Sequence, residues 1–120
     1  MATFTKKILS GSTDGKAVKV AATATAGTTI HTGSATATTI DEIWLYAVNS
    51  SASDVKLTLE WGEATAPDGN IELSVAAEAG LVLLVPGLLI QGNATPLVVK
   101  AFAATGNVIL IHGYVNQITV

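Results

Sequence analysis

The side chains that could do chemistry in this sequence are few, and they do not form a metal-binding pattern. His31 and His112 are the only two histidines, and the chain has no cysteine. A zinc site takes three or four ligands of these types, whereas no third ligand lies near either histidine in the sequence. We therefore expect no metal centre and two histidines that are satisfied inside the fold or at its rim. A metal held by one histidine from each of three subunits is the alternative.

A glycine-rich stretch near the N-terminus comes close to a phosphate-binding loop but departs from it in two ways. Residues 11–17 read Gly-Ser-Thr-Asp-Gly-Lys-Ala. The spacing between the glycines is one residue too short, and Ala17 stands where a hydroxyl side chain would hold magnesium. No strand precedes the stretch and no helix follows it, so it lacks the helix end that binds an anion. We interpret it as a turn and expect neither a nucleotide nor another cofactor.

The hydroxyl and carboxyl side chains likewise lack a catalytic arrangement. The sequence contains no Gly-x-Ser-x-Gly turn of the kind that exposes a nucleophilic serine. Neighbouring carboxylates occur at Asp41 and Glu42 and again at Glu60 and Glu63. Such pairs can act as acid and base, but acids at strand ends commonly keep a sheet edge solvated, which is how we interpret them. We expect no catalytic residues, no small-molecule substrate and no enzyme activity.

Charge and hydropathy exclude two further classes of partner. The chain has six lysines, no arginine and nine acidic residues, which gives a formal net charge of −3. This balance offers no basic surface for nucleic acid. The longest apolar run, residues 80–90, is about half as long as a bilayer requires and is interrupted by Pro86 and Gly87. Because no signal-peptide stretch follows Lys6 and Lys7 either, we expect no membrane contact and synthesis in the cytoplasm.

The low proportion of charged residues predicts that part of the surface is covered by other protein. Charged residues make up 12% of the chain and hydrophobic residues 49%, whereas an ordinary soluble protein is about one quarter charged. Alanine, threonine, serine and glycine must therefore cover much of the surface. This suits a protein packed against copies of itself or within a larger assembly. A monomer with a surface rich in threonine and serine is the alternative.

Alternation of apolar and polar residues predicts strands along almost the whole chain. We expect about eight strands, separated by turn-forming residues, and no helix. This pattern is typical of an all-β fold, a single-domain antiparallel β-sandwich, and an eight-stranded jelly roll fits the count best. The apolar runs 81–85 and 88–90 are expected either to be buried on both faces or to bend at Pro86-Gly87. The other predicted strands are Val18–Ala24, Asp41–Val48, Val55–Trp61, Ile71–Val75, Leu97–Ala103 and Val108–Val115.

The chain divides into a short N-terminal segment and one larger unit. Residues 1–12 are expected to form an arm that becomes ordered on a partner or, equally well, a first edge strand. Residues 13–120 form the β-sandwich domain. Lys6 and Lys7 in the N-terminal segment are candidate contacts to such a partner.

The aromatic residues indicate where an interface would lie. In the predicted strand 41–48, Trp44 and Tyr46 share the face opposite Ile43 and Leu45, so both faces are apolar. Another part of the domain or another subunit must cover the second face. Tryptophan and tyrosine are enriched at interface centres. Phe102 is a second candidate for an apolar surface position.

Several runs of the sequence resemble small structural proteins of tailed bacteriophages. The resemblance spans residues 28–118 and is carried by the runs 39–49 (TIDEIWLYAVN), 55–62 (VKLTLEWG), 81–87 (LVLLVPG) and 107–114 (NVILIHGY). It implies a non-enzymatic virion component, a capsid decoration (cement) protein built as a jelly roll and commonly trimeric. Such a protein binds the major capsid protein on the outside of the phage head and stabilises the shell. Its location would be the capsid surface, after synthesis in the host cytoplasm.

A head or tail fibre module that attaches to a host glycan or protein is the alternative function. Glycan recognition favours an exposed aromatic side chain beside acids or amides. Trp61, next to Glu60 and Glu63, is the position in this sequence that fits that description.

Overall fold

Nine β-strands arranged in two sheets form the regular structure of residues 2–120, the part of the chain that the computed structural model describes. All of the strand pairings are antiparallel, as the alternating pattern predicted. Within these residues there is no helix that is long and apolar enough to cross a bilayer. The strands are β1 (Thr3–Ile8), β2 (Val18–Lys19), β3 (Thr28–Thr32), β4 (Thr39–Asn49), β5 (Val55–Trp61), β6 (Asn70–Val75), β7 (Val82–Gln91), β8 (Val98–Ala103) and β9 (Ile109–Thr119).

The two sheets have a regular order. Sheet A has the order β1-β9-β4-β7, with β2 also paired to β9, and sheet B has the order β3-β8-β5-β6. Strand β1 pairs with residues 114–119 of β9, and β2 pairs with residues 110–111 of the same strand. Since β4 occupies the other side of β9 along its whole length, β1 and β2 are two parts of one interrupted edge strand.

This order is that of a jelly roll. When β1 and β2 count as one strand, eight strands remain, and they pair in a nested way: β5 with β6, β4 with β7, β3 with β8, and the first strand with β9. Successive pairs alternate between sheet B and sheet A. The chain is thus one long antiparallel hairpin rolled into two facing sheets, which is the jelly-roll arrangement. The prediction of a single-domain β-sandwich is confirmed.

The core lies between the sheets and is built by the inward side of each strand. In β4 every second side chain is buried, and Ile43, Leu45 and Ala47 have no exposed surface. Leu57 and Leu59 of β5 face them from sheet B and are equally buried. Complete burial of such a side chain contributes roughly 1.5–3 kcal/mol to the stability of the fold.

Two strands differ from the prediction. The strand expected at Val18–Ala24 ends at Lys19, because the chain then leaves sheet A: the amide of Val20 bonds to Ile109, whereas the carbonyl of Ala22 accepts from Ala103 of sheet B. For the apolar runs 81–85 and 88–90, the alternative of burial on both faces is wrong: residues 82–91 form a single edge strand, β7, with an irregularity at Pro86-Gly87. Its register against β4 shifts between Ile43 and Trp44 and again between Leu45 and Tyr46, so regular alternation is lost around Pro86. An edge strand is where proline is tolerated in a sheet.

The N-terminal segment is an edge strand in this structure. All six residues of β1 are exposed, and the strand is held by its pairing with β9. The next residue, Leu9, is buried in the core. The firmly packed part of the chain therefore begins at Leu9.

We expect two leucines of sheet A to respond very differently to truncation. Leu45 is completely buried, whereas Leu89 is 54% exposed. Leu45→Ala should lower the free energy of unfolding by about 2–5 kcal/mol, because it leaves a cavity in the core. Leu89→Ala should lower it by less than about 1 kcal/mol. Urea unfolding of both variants measures the difference, and equal losses would contradict the assigned facing of the strands.

Candidate functional site

The outer face of sheet A is the surface that this sheet turns away from the core, and it is the candidate functional site. The outward side chains of β4 include Glu42, Trp44 and Tyr46, which are only partly exposed. Directly opposite Trp44 and Tyr46 on β9 lie Tyr114 and His112. Strand pairing alone brings these aromatic rings together, because paired residues of antiparallel strands point to the same side.

A row of contacts centred on two aromatic rings crosses β1, β9, β4 and β7, and we call it the aromatic row. The rings of Trp44 and Tyr114 are stacked, with centroids 6.0 Å apart and planes 8° from parallel. On the β1 side, the Lys6 ammonium lies 4.9 Å from the centre of the Tyr114 ring, which is a cation–π contact. On the β7 side, a Cβ atom at Gly87 would lie only 3.1 Å from the Trp44 indole. The absence of a side chain at Gly87, which has a φ of +82°, leaves the indole room to lie over β7.

Glu42 fixes the position of the indole. Its Oε1 atom accepts a hydrogen bond from Trp44 Nε1 at 2.7 Å and a second from Asn116 Nδ2 at 3.0 Å. These two bonds favour the ionised carboxylate and lower the pKa of Glu42, the bond from Asn116 having the larger effect. The indole nitrogen of Trp44 thus has a partner within the face, so its polar atom needs none from outside.

The exposed apolar side chains are concentrated around the aromatic row. Within residues 2–120, every large apolar side chain that is exposed lies on β1, on β7, or directly beside β7 or β9. The outer face of sheet B is different in character, since Lys56 and Glu72 form an ion pair there at 2.8 Å. The outer faces of the two sheets therefore differ in polarity. The exposed apolar residues are Phe4, Ile8, Leu81, Leu83, Leu88, Leu89 and Val120.

The structure brings together three of the five candidate interface residues. Trp44, Tyr46 and Lys6 share the outer face of sheet A. Lys7 points to the opposite side of β1, where it lines a shallow cleft of about 310 Å³ at the rim of the sandwich. Phe102 lies on sheet B opposite Thr58, so it belongs to the other outer face.

A buried histidine–aspartate pair connects the two sheets at that rim. His31 of β3 and Asp41 of β4 are both more than 90% buried, and His31 Nε2 lies 2.7 Å from Asp41 Oδ2. The backbone amide of Ser10 donates to His31 Nδ1 at 3.0 Å. Because Nδ1 accepts this bond, the ring proton is on Nε2 and is donated to the carboxylate. Gln117 Nε2 donates to the other oxygen of Asp41 at 2.9 Å.

The buried carboxylates correct the interpretation of the acids as solvated strand ends. Asp41 is only 2% exposed and Glu60 only 1%. Glu60 accepts hydrogen bonds from the Thr25 hydroxyl and from the amide of Gly27 at 2.6 Å. It thereby fastens the segment between β2 and β3 to sheet B. For Asp41 and Glu60 the interpretation was wrong because the bonding partners are distant in sequence, whereas Glu63 is exposed as the interpretation expected.

Trp61 is placed differently from an attachment site. Its side chain packs against the core, and its indole nitrogen is buried with no hydrogen-bond partner among residues 2–120. The Glu60 carboxylate beside it is already occupied, as described above. A cleft of about 260 Å³ nearby is lined by Glu60, Glu63 and Lys100, but Trp61 is not among the residues that line it. Trp61 is thus only partly exposed and packs against the core, so it is not a freely exposed ring beside the acids.

The second histidine and the glycine-rich stretch 11–17 form no site for chemistry with their neighbours among residues 2–120. His112 is partly buried on the outer face of sheet A. The stretch 11–17 is a loop between β1 and β2 that closes on itself, with the Ser12 hydroxyl donating to the carbonyl of Lys16 at 2.5 Å. Among residues 2–120, no three histidine or acidic side chains come together in a way that could hold a metal ion.

We expect Asp41→Asn to destabilise the fold. An asparagine side chain has one oxygen, but two donors, His31 Nε2 and Gln117 Nε2, bond to Asp41. The side-chain NH2 group of the asparagine would therefore lie against one of these donors. Loss of hydrogen bonds to a buried charge should lower the free energy of unfolding by about 2–3 kcal/mol. Asp54→Asn is the matched control, since Asp54 is exposed and the side-chain oxygen of the asparagine would still accept the hydrogen bond from the backbone amide of Ala77. Urea unfolding that showed equal losses would contradict the structural role of Asp41.

The stability of the protein should depend on the ionisation of Glu42. The folded state lowers the pKa of Glu42 below its ordinary value of 4.5. The ionised carboxylate therefore stabilises the fold fully above pH 4.5, and this stabilisation is lost as the pH falls through the lower pKa of the folded state. Glu42→Gln should therefore unfold more easily at neutral pH and lose less stability on acidification below pH 4.5. Glu78→Gln removes the same charge at an exposed position and controls for net charge. Thermal melts across this pH range that were parallel for wild type and Glu42→Gln would contradict the prediction.

Comparison of the chain with known protein families, curated proteins and solved structures identified no relative. No protein-family model, no curated protein and no solved structure matches this chain.

Proposed function

We propose that this chain is a non-enzymatic structural protein of a tailed-bacteriophage virion, a capsid decoration (cement) protein. It binds the major capsid protein on the outside of the head and stabilises the shell. The sequence resemblance suggests this function, and the observation that supports it best is the difference between the outer faces of the two sheets. One outer face carries the stacked aromatic rings and is bordered by exposed apolar side chains, and the other carries the ion pair between Lys56 and Glu72.

The apolar face of sheet A suits a protein that works by packing against other protein. Phe4 is 74% exposed on one side of the face, and Leu89 is more than half exposed on the other. Exposed apolar patches of this kind mark interaction surfaces in soluble proteins. A chain with 12% charged residues has little else with which to cover such a surface. Burial in an assembly removes these side chains from water.

The fold is also suited to reinforcement. The buried side chains form one continuous core between the sheets, and His31 and Asp41 connect the sheets at the rim. A closely packed core resists deformation. A rigid body that binds only the mature shell lowers the free energy of that state by its own free energy of binding. A symmetric set of copies placed where capsomers meet would match the local symmetry of a head.

Attachment to a host glycan is less well supported. The candidate aromatic residue for it, Trp61, packs against the core, and its neighbour Glu60 is engaged by Thr25 and Gly27. We keep attachment as an outcome of the experiment below.

The proposal is tested by binding to heads. The purified chain is mixed with undecorated heads of the phage whose genome encodes it, and the heads are sedimented. We expect saturable co-sedimentation at micromolar concentration. Heads that carry the protein should release their DNA at a higher temperature than undecorated heads. Heads that already carry their full complement of the protein are the control and should take up no more.

Failure to co-sediment at micromolar concentration would contradict the decoration function. A glycan-array signal that Trp61→Ala abolishes would favour the attachment module instead.

A further inference from the structure

We propose that the outer face of sheet A is the surface through which copies of this chain bind one another. The occupant of the face is a second copy, and the contact forms without the capsid. This inference is independent of the decoration function, because it concerns the isolated protein. It rests on the size of the face, on its charges and on its preformed aromatic centre.

The face is large enough for a stable contact. Strands β4 and β9 are each 11 residues long, which corresponds to about 36 Å at the usual rise of a strand. Four strands side by side are about 19 Å wide. The footprint is therefore roughly 700 Å², close to the roughly 800 Å² that each partner contributes to a standard protein interface. The face can support a specific contact without any further element of the chain.

The charges near the middle of the face complement each other. Lys6 pairs with Asn116, and Asn116 pairs with Glu42, so the three lie in one row across the strands. Both hydrogen bonds that Glu42 accepts within residues 2–120 go to Oε1. Its Oε2 atom is therefore available to a donor from outside. A neighbour whose β1 lies over β4 would bring its own Lys6 ammonium to that oxygen.

The centre of the face is already organised for contact. The stacked Trp44 and Tyr114 rings are held by Glu42, Lys6 and the space above Gly87. Side chains fixed in this way lose little conformational freedom on binding. Aromatic residues at the centre of an interface, surrounded by apolar contacts that exclude water, commonly carry most of the binding energy. Leu83 and Leu89 of β7 supply such surroundings on one side, and Ile8 of β1 supplies them on the other.

The first experiment measures the mass of the protein in solution without capsids. Sedimentation equilibrium of the chain should give twice the mass of 12.2 kDa, because a face that binds the same face of a second copy closes at two copies. Leu83→Glu places a charge among the apolar contacts and should weaken association roughly tenfold or more. Leu83 is 48% exposed, so its substitution should leave the monomer folded. Ser74→Glu adds the same charge at an exposed position of sheet B and should leave the mass unchanged.

Two results would overturn the inference. One is a wild-type chain that stays monomeric up to hundreds of micromolar. The other is a loss of mass in Ser74→Glu that equals the loss in Leu83→Glu. A monomer that nevertheless co-sediments with heads would assign the face to the capsid protein, and the decoration function would stand without the contact between copies.

The second experiment tests the pairing of Lys6 with Glu42. Lys6→Glu alone and Glu42→Lys alone each place like charges opposite one another between copies, so each should associate more weakly than wild type. An equimolar mixture restores opposite charges across the contact and should regain mass. Circular dichroism melts first establish that both variants are folded. A mixture no heavier than its separate components would rule out this pairing, because damage to the fold of either chain cannot be repaired by mixing.

Discussion

The antiparallel pairing of β4 with β9 is the constraint from which the rest of the molecule follows. The two strands pair without a register shift from Thr39 and Thr119 at one end to Asn49 and Ile109 at the other. One side of this ladder supplies Ile43, Leu45 and their neighbours to the core. The other side brings Trp44 against Tyr114. A slip of one residue would exchange the two sides and expose the core.

One glycine makes the regular register possible. A Cβ atom at Gly113 would lie 2.1 Å from the carbonyl oxygen of Trp44 on the neighbouring strand. No larger residue fits at that position without separating the two backbones. Gly113 sits beside Tyr114, so the close approach of the strands occurs where the aromatic rings stack. Packing of the core and order on the outer face thus depend on the same short segment.

The sequence predicted the parts of the fold that depend on local pattern. Alternation of apolar and polar residues in β5 and β6 indicates their strands directly. In β6 the polar Glu72 and Ser74 are exposed as the pattern predicts, whereas in β5 Thr58 and Glu60 are buried and only Lys56 is exposed. The strand order became visible only in the structure, since it depends on which strands meet at long range. The same holds for His31 and Asp41, whose partners Ser10 and Gln117 lie at the two ends of the chain. Composition alone cannot tell a buried carboxylate from a solvated one.

The candidate site was predictable in part for the same reason. Trp44 and Tyr46 stand on one face of β4 by alternation, and the structure places them there. Lys6 and Lys7 are adjacent in sequence and therefore point to opposite sides of β1, so only Lys6 reaches the aromatic row. Phe102 belongs to a different sheet altogether. Grouping such residues requires the sheet assignment, which the alternating pattern does not contain.

The irregular edge of β7 has a consequence for aggregation. A flat strand with free backbone groups invites the strand of another molecule to add to it, and such addition repeats without limit into fibres. Strand β7 carries Pro86, which has no amide hydrogen to donate, and two register shifts beside it. A second strand cannot align along such a border. Addition of another molecule's strand to this edge of sheet A is thereby discouraged.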